Sequence, residues 1–141
     1  MKFFKPFAFG IIAMLAIGLA SCSRSSPTAT FKAFFEAQQK KDVAGMKKTL
    51  SKGSMTMLEK GAKQQNKSVD QAITEGFNNP ASKTDKIPEL RNEKIEGETA
   101  TLEVQDEQSK KWETVYFVKE DGNWKLALDK TVEEMMKKIG T

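Results

Sequence analysis

Past Asn78, Asn79 and Pro80 the spacing of apolar residues in this chain changes from a helical to an alternating period, and that switch constrains the fold more than any other feature. Before it, apolar side chains recur at i, i+3 and i+4; after it, they recur at i and i+2. Helices followed by consecutive short strands specify an α+β domain, with the helices packed on an antiparallel meander.

Four helical segments precede the switch. Phe31, Phe34 and Phe35, with Ala37 and Gln38 a turn later, put an aromatic stripe on a first helix that begins near Thr28 or Thr30 as N-cap. Lys40, Lys41 and Asp42 break it at a tight turn, after which Val43, Met46 and Leu50 resume an apolar face. A third segment runs from Ser54 to about Asn66, with Met55, Leu58 and Ala62 on one side. Ser68 followed by Gln71 has the form of a capping box, and it introduces a helix carrying Val69, Ala72, Ile73 and Phe77.

Four strands follow, over Leu90 to Glu96, Thr99 to Asp106, Trp112 to Lys119 and Asn123 to Asp129. In the second, Ala100, Leu102 and Val104 alternate with Thr101, Glu103 and Gln105, so one face is buried and the other wet. The fourth alternates Trp124, Leu126 and Leu128 with Lys125, Ala127 and Asp129. The third carries Trp112, Tyr116 and Val118 on one face and Val115 and Phe117 on the other, which places it centrally. Gly97 and the Asp121-Gly122 pair mark tight hairpin turns. A last helix starts at Thr131, where Thr131 and Glu134 form a second capping box; Val132, Met135, Met136 and Ile139 make its apolar stripe.

At the front, Lys2 and Lys5 precede an uncharged, largely apolar run from Pro6 to Ala20, which reads as a secretory signal. It is shorter than the roughly 20 apolar residues a spanning helix wants. Leu19, Ala20, Ser21 and Cys22 close it, and these four resemble the lipobox of bacterial lipoproteins at every position. The resemblance implies cleavage before Cys22, a diacylglyceryl thioether on its sulfur and acylation of the new amino terminus. Two other readings exist: an ordinary signal peptide that leaves Cys22 a free thiol, and an uncleaved anchor over residues 6 to 20. The first carries a reactive thiol into an oxidising compartment, and the second buries too few residues. Lipidation places the protein in the bacterial cell envelope, with the membrane as its partner through Cys22, and on the periplasmic side of the outer membrane if the cell is Gram-negative.

The expected organisation is therefore a signal peptide over 1–21, a lipidated tether over 22–30, a folded domain over 31–130 and a terminal helix over 131–141. The tether from Ser23 to Thr30 is small, polar and interrupted by Pro27, and fully extended it spans about 25 Å. The chain has 23 Lys and Arg against 19 Asp and Glu, a formal net charge of +4, and removal of Lys2 and Lys5 halves that excess. So small an excess is no nucleic-acid surface. There is no histidine and Cys22 is the single cysteine, which removes the commonest base, the commonest metal ligand and any conventional catalytic triad. Neither a glycine-rich phosphate loop nor a calcium-loop spacing occurs, so no cofactor and no metal are expected.

Helices first, then a meander that closes on a charged turn, glycine, tryptophan and lysine, is similar to the NTF2-like (cystatin-like) α+β cone fold. The residues that carry the likeness are Phe31, Phe34 and Phe35 with the Lys41-Asp42 break, the hairpin from Gly97 to Val104, and the run from Lys119 through Gly122 and Trp124 to Leu126. More narrowly, the chain resembles small bacterial lipoproteins of the DUF4878 family. The likeness implies a curved four-stranded sheet and a cone between helices and sheet that becomes a ligand pocket or an active site. Phe31, Phe34, Phe35, Trp112, Tyr116 and Trp124 are then pocket candidates for a small apolar or amphiphilic ligand or for an envelope partner protein, and taken singly each reads more readily as plain core. The alternative is a pocket enzyme of the ketosteroid isomerase or polyketide cyclase type, which needs an Asp or Glu base within apolar walls. Tyr116 is the single tyrosine, and Glu103, Glu113 and Asp121 fall on turns or polar strand positions, so the expectation is a non-catalytic binding domain. The helix from Thr131 departs from the simplest form of the fold, and would cover the mouth of the cone or dock on a partner.

Overall fold

The computed structural model describes residues 25–79 and 85–140; Cys22 and the signal segment lie outside them. Four helices, α1 (Pro27–Gln39), α2 (Val43–Thr49), α3 (Lys52–Gln64) and α4 (Val69–Asn78), precede the strands β1 (Leu90–Glu96), β2 (Thr99–Gln105), β3 (Trp112–Glu120) and β4 (Asn123–Leu126). A fifth helix, α5 (Leu128–Ile139), ends the chain. The strands form one antiparallel sheet in the order β1-β2-β3-β4, so the domain is α+β with helices on a meander, as the change of period predicts.

The first helix starts earlier than its aromatic stripe suggests. Ser26 is the N-cap, its side chain accepting from the Ala29 N–H at 3.0 Å, and Pro27 fills the first turn, where its fixed φ suits a helix and its missing N–H costs nothing. Thr30 is buried and its hydroxyl donates to the Trp124 carbonyl, while the Trp124 N–H donates to Ser25 Oγ. Ser25 to Thr30 therefore belong to the folded domain, although they fall within the span expected as tether. Lys41 takes the left-handed turn at φ 54, and Asp42 caps α2 by accepting from Gly45 N–H. Ser51 caps α3, which begins at Lys52, two residues ahead of the expected start, and α4 opens on the capping box of Ser68 and Gln71.

Register brings the core-facing apolar residues of β2, β3 and β4 onto one face. Ala100 lies opposite Phe117, Leu102 opposite Val115, and Phe117 opposite Leu126. These residues, with Trp124, meet Phe31 and Leu50 in the core, and Phe34, Met55, Leu58, Leu90 and Leu128 pack around them. Asp121 and Gly122 both have positive φ, as a tight hairpin requires, and Gly97 does the same at the β1-β2 turn. A bulge between Arg91 and Lys94, with Asn92 at φ 53, shifts β1 by one residue. Leu90 thereby turns inward and Arg91 outward.

The end of the chain corrects two expectations. β4 stops at Leu126 instead of running to Asp129, because Leu50 forms a parallel bridge with Leu126 and Ser51 N–H donates to its carbonyl. The chain then turns, with Ala127 N–H donating to the Tyr116 carbonyl and Leu128 N–H to Ser54 Oγ. Nor do Thr131 and Glu134 form a capping box. Thr131 lies inside α5, its hydroxyl donating back to the Ala127 carbonyl and accepting from the Tyr116 N–H, so a side chain continues the ladder that β4 abandons.

Candidate functional site

The six aromatic candidates separate. Phe31 and Trp124 are buried between helices and sheet, Phe34 packs half-buried against that core, and Phe35 is buried on the same helix. Trp112 and Tyr116 project from the opposite, outer face of the sheet, since Tyr116 lies opposite Thr101 and Trp112 opposite Gln105. The first group is core. The second belongs to a site that alternation along β3 foretold by face but not by location.

That site exists because β3 is longer than β4. Only Phe117 to Glu120 pair with β4, so Trp112 to Tyr116 run on past its end, and α5 is laid alongside them. A cleft of about 190 Å³ opens there, walled by Trp112, Thr114 and Tyr116 on the strand and by Thr131, Glu134, Met135 and Lys138 on the helix. A second, of about 170 Å³, continues over the outer face through Tyr116, Thr101, Thr99 and Lys94. A third, of about 370 Å³, lies between Thr99 and Tyr116 on the sheet and Lys130, Glu133 and Glu134 on α5. Tyr116 borders all three, so its ring is the hinge of one shallow, amphiphilic depression.

Charge is fixed around it by short pairs. The Arg91 guanidinium stands 3.7 Å from the centre of the Trp112 ring, and its Nε donates to Glu103 at 2.7 Å. Asn92 Nδ2 donates to the same Glu103 oxygen. Together the Arg91 and Asn92 hydrogen bonds hold the Glu103 carboxyl below the usual glutamate range. On α5, Lys137 donates to Glu134 at 2.7 Å and bridges Glu133 at 2.9 Å, which raises its pKa. Arg91 is the residue that reading the sequence overlooks: strict pairing back from the Gly97 turn sets it opposite Val104, facing the core, and only the bulge brings it over Trp112.

The cleft offers two kinds of contact. The wall of Trp112 and Met135 offers apolar contact, and threonine hydroxyls, Glu134 and Lys138 offer polar contact at the rim. Two carboxylates share the cleft with Tyr116: Glu134 is ion-paired and 39% exposed, and Glu113 is exposed, so neither has the apolar enclosure a proton-transfer base requires. Glu103 is likewise paired, and Asp121 sits at the β3-β4 tip within 3.9 Å of Lys52. Among the described residues, no group of three or more His, Cys, Asp or Glu stands ready to hold a metal, and no helix is long and apolar enough to cross a membrane. No protein-family model matches the chain, and comparisons with curated proteins and with solved structures return no match.

Proposed function

We propose that this chain is a lipid-anchored protein of the bacterial envelope whose NTF2-like domain binds, without catalysing, a small amphiphilic ligand in the cleft between β3 and α5. The observation that carries the reading is the company kept by Tyr116 and Trp112: an apolar wall with Met135 and a polar rim of Thr131, Glu134 and Lys138. Such a lining suits a molecule with an apolar body and a polar head. The order of helices, hairpins and the Gly122-Trp124 strand supports the NTF2-like assignment, although the cleft lies on the face of the sheet away from the core helices. Anchoring rests on the Leu19 to Cys22 stretch. Cys22 precedes Ser25 by three residues, so a lipid there holds the domain within about 11 Å of the headgroups, at ~3.6 Å per residue.

Native mass spectrometry of detergent-extracted full-length protein tests the ligand. A bound mass that disappears in Tyr116→Ala and Trp112→Ala while circular dichroism stays unchanged is the expected result. A bound mass indifferent to both, or none at all, sinks the reading. The anchor is tested separately: Cys22→Ala should abolish incorporation of labelled palmitate and leave the precursor uncleaved.

A further inference from the structure

Helix α5 is set on the domain with its faces the wrong way round. It turns Thr131, Glu134, Met135 and Lys138 toward the cleft on β3, and Lys130 and Glu133 toward the neighbouring one. Val132, Met136 and Ile139 line neither, and they stand 41%, 68% and 80% exposed, with Met135 at 45%. None of its residues is buried, although its apolar stripe is as well formed as that of any core helix in the chain. A stripe of this kind in water is an interaction surface.

The residues of that stripe say what covers it. Val132, Glu133, Glu134, Met135, Met136, Lys137, Lys138 and Ile139 read as apolar, acid, acid, apolar, apolar, base, base, apolar. Turned end for end about the point between Met135 and Met136, every apolar position falls on an apolar position and every acid on a base. This is the requirement for an isologous two-fold contact, in which one surface meets itself reversed. We propose that α5 pairs antiparallel with α5 of a second copy of this chain, with Val132 against the partner helix's last apolar residue and the two central methionines stacked across the axis.

Electrostatics favours this arrangement over the others. Antiparallel packing lays the acidic first half of one helix beside the basic second half of the other and opposes the two helix dipoles, whereas parallel packing sets acid by acid and base by base. A lipid surface fits less well, since Lys130, Lys137 and Lys138 are balanced by Asp129, Glu133 and Glu134, leaving no net charge for anionic headgroups to attract. Four exposed apolar side chains bury less than the roughly 1,000 Å² of a stable interface, so the contact is a weak one that confinement to a common membrane would strengthen. It shares Met135 with the wall of the cleft and is otherwise centred on Val132, Met136 and Ile139, which line neither depression.

Sedimentation equilibrium of the full-length chain in nonionic detergent, over two decades of concentration, tests it. The expected result is a reversible monomer-dimer equilibrium that Met136→Lys weakens at least tenfold. Glu133→Lys with Glu134→Lys should weaken it to a similar degree, as should Lys137→Glu with Lys138→Glu, and an equimolar mixture of the two charge variants should restore it. Circular dichroism of each variant guards against loss of the helix. A monomer at every concentration overturns the proposal, as does a dimer unmoved by these substitutions. So does a monomer whose α5 amides gain exchange protection only on phosphatidylcholine vesicles, which would give the face to lipid.

Discussion

The carboxylate of Asp129, on the first turn of α5, rests on Gly53 at the first turn of α3, so closely that a β-carbon on Gly53 would overlap its Oδ2. Its Oδ1 lies 3.3 Å from Ser54 Oγ and 3.4 Å from Ser51 Oγ. Helix α3 has no acid of its own in its first turn, and Asp129 supplies that negative charge from another element. The start of α5 is thereby fixed to α3, which in turn fixes the helical wall of the cleft.

This contact inverts a familiar rule. Glycine to alanine inside a helix ordinarily stabilises by up to about 1 kcal/mol. At Gly53 the same change should destabilise by roughly 1–3 kcal/mol, because Asp129 must be displaced. In an Asp129→Ala background the sign should return to stabilising. Urea unfolding of the four proteins in this cycle measures it, and equal effects of Gly53→Ala in both backgrounds would show that the carboxylate does not press on Gly53.

Ser54 carries the other half of the junction. It is fully buried, its hydroxyl donates to the Leu126 carbonyl at 2.8 Å and accepts from the Leu128 N–H at 2.8 Å. Ser54→Ala leaves the Leu128 N–H without its partner where the chain passes from β4 into α5, takes one of two donors from the Leu126 carbonyl, which keeps the Ser51 N–H, and should cost about 1–3 kcal/mol. Hydrogen exchange should show the loss first at Leu128 and then along α5; a uniform change across the domain would argue against a local role.

Beside the cleft, Glu103 gives a pH-dependent signature. Its folded pKa is depressed, first by the Arg91 hydrogen bond and then by that of Asn92. The stabilisation is accordingly present above the ordinary glutamate pKa and is lost as pH falls through the lower, folded value. Carbon-detected titration of Glu103 should show a midpoint below that of a free glutamate, moving upward in Arg91→Ala and in high salt. Arg91→Ala should also change the fluorescence of Trp112, whose ring Arg91 covers. A Glu103 midpoint unchanged by the substitution would refute the assigned cause.

How far the sequence discloses this architecture depends on how local each determinant is. The capping box at Ser68, the Asp121-Gly122 hairpin and the alternation of β2 are written in neighbouring residues, and they stand where the pattern puts them. The junction after β4 is not. Leu128 is apolar at the next position of a strand and equally at the first position of the stripe it shares with Val132, Met135 and Ile139, so period alone does not separate the two. Leu50, Ser51 and Ser54, more than seventy positions away, decide the matter by taking the hydrogen bonds of Leu126 and Leu128. The site was half legible for a related reason. Alternation puts Trp112 and Tyr116 on one face, but the short β4 that leaves room for the cleft, and the bulge that brings Arg91 to Trp112, are properties of register.

Thr131 discriminates between what its sequence context suggests and what its position does. As the N-cap of a helix beginning there, it would act together with Glu134, and loss of either side chain would fray the start of that helix. In the fold it sits within α5 and ties the helix to the Tyr116 N–H, while Glu134 bonds to Lys137. Thr131→Val, close in shape but without the hydroxyl, should therefore cost about 1–3 kcal/mol by leaving a β3 N–H unpaired, and Thr131→Ser should restore most of that loss. Glu134→Gln should change stability by no more than about 0.5 kcal/mol, the scale of an exposed helix pair. The expected order in a thermal melt is parent, Glu134→Gln and Thr131→Ser close together, with Thr131→Val well below. Comparable losses from Glu134→Gln and Thr131→Val would revive the capping box and move the start of α5, and with it the wall of the cleft, four residues along the chain.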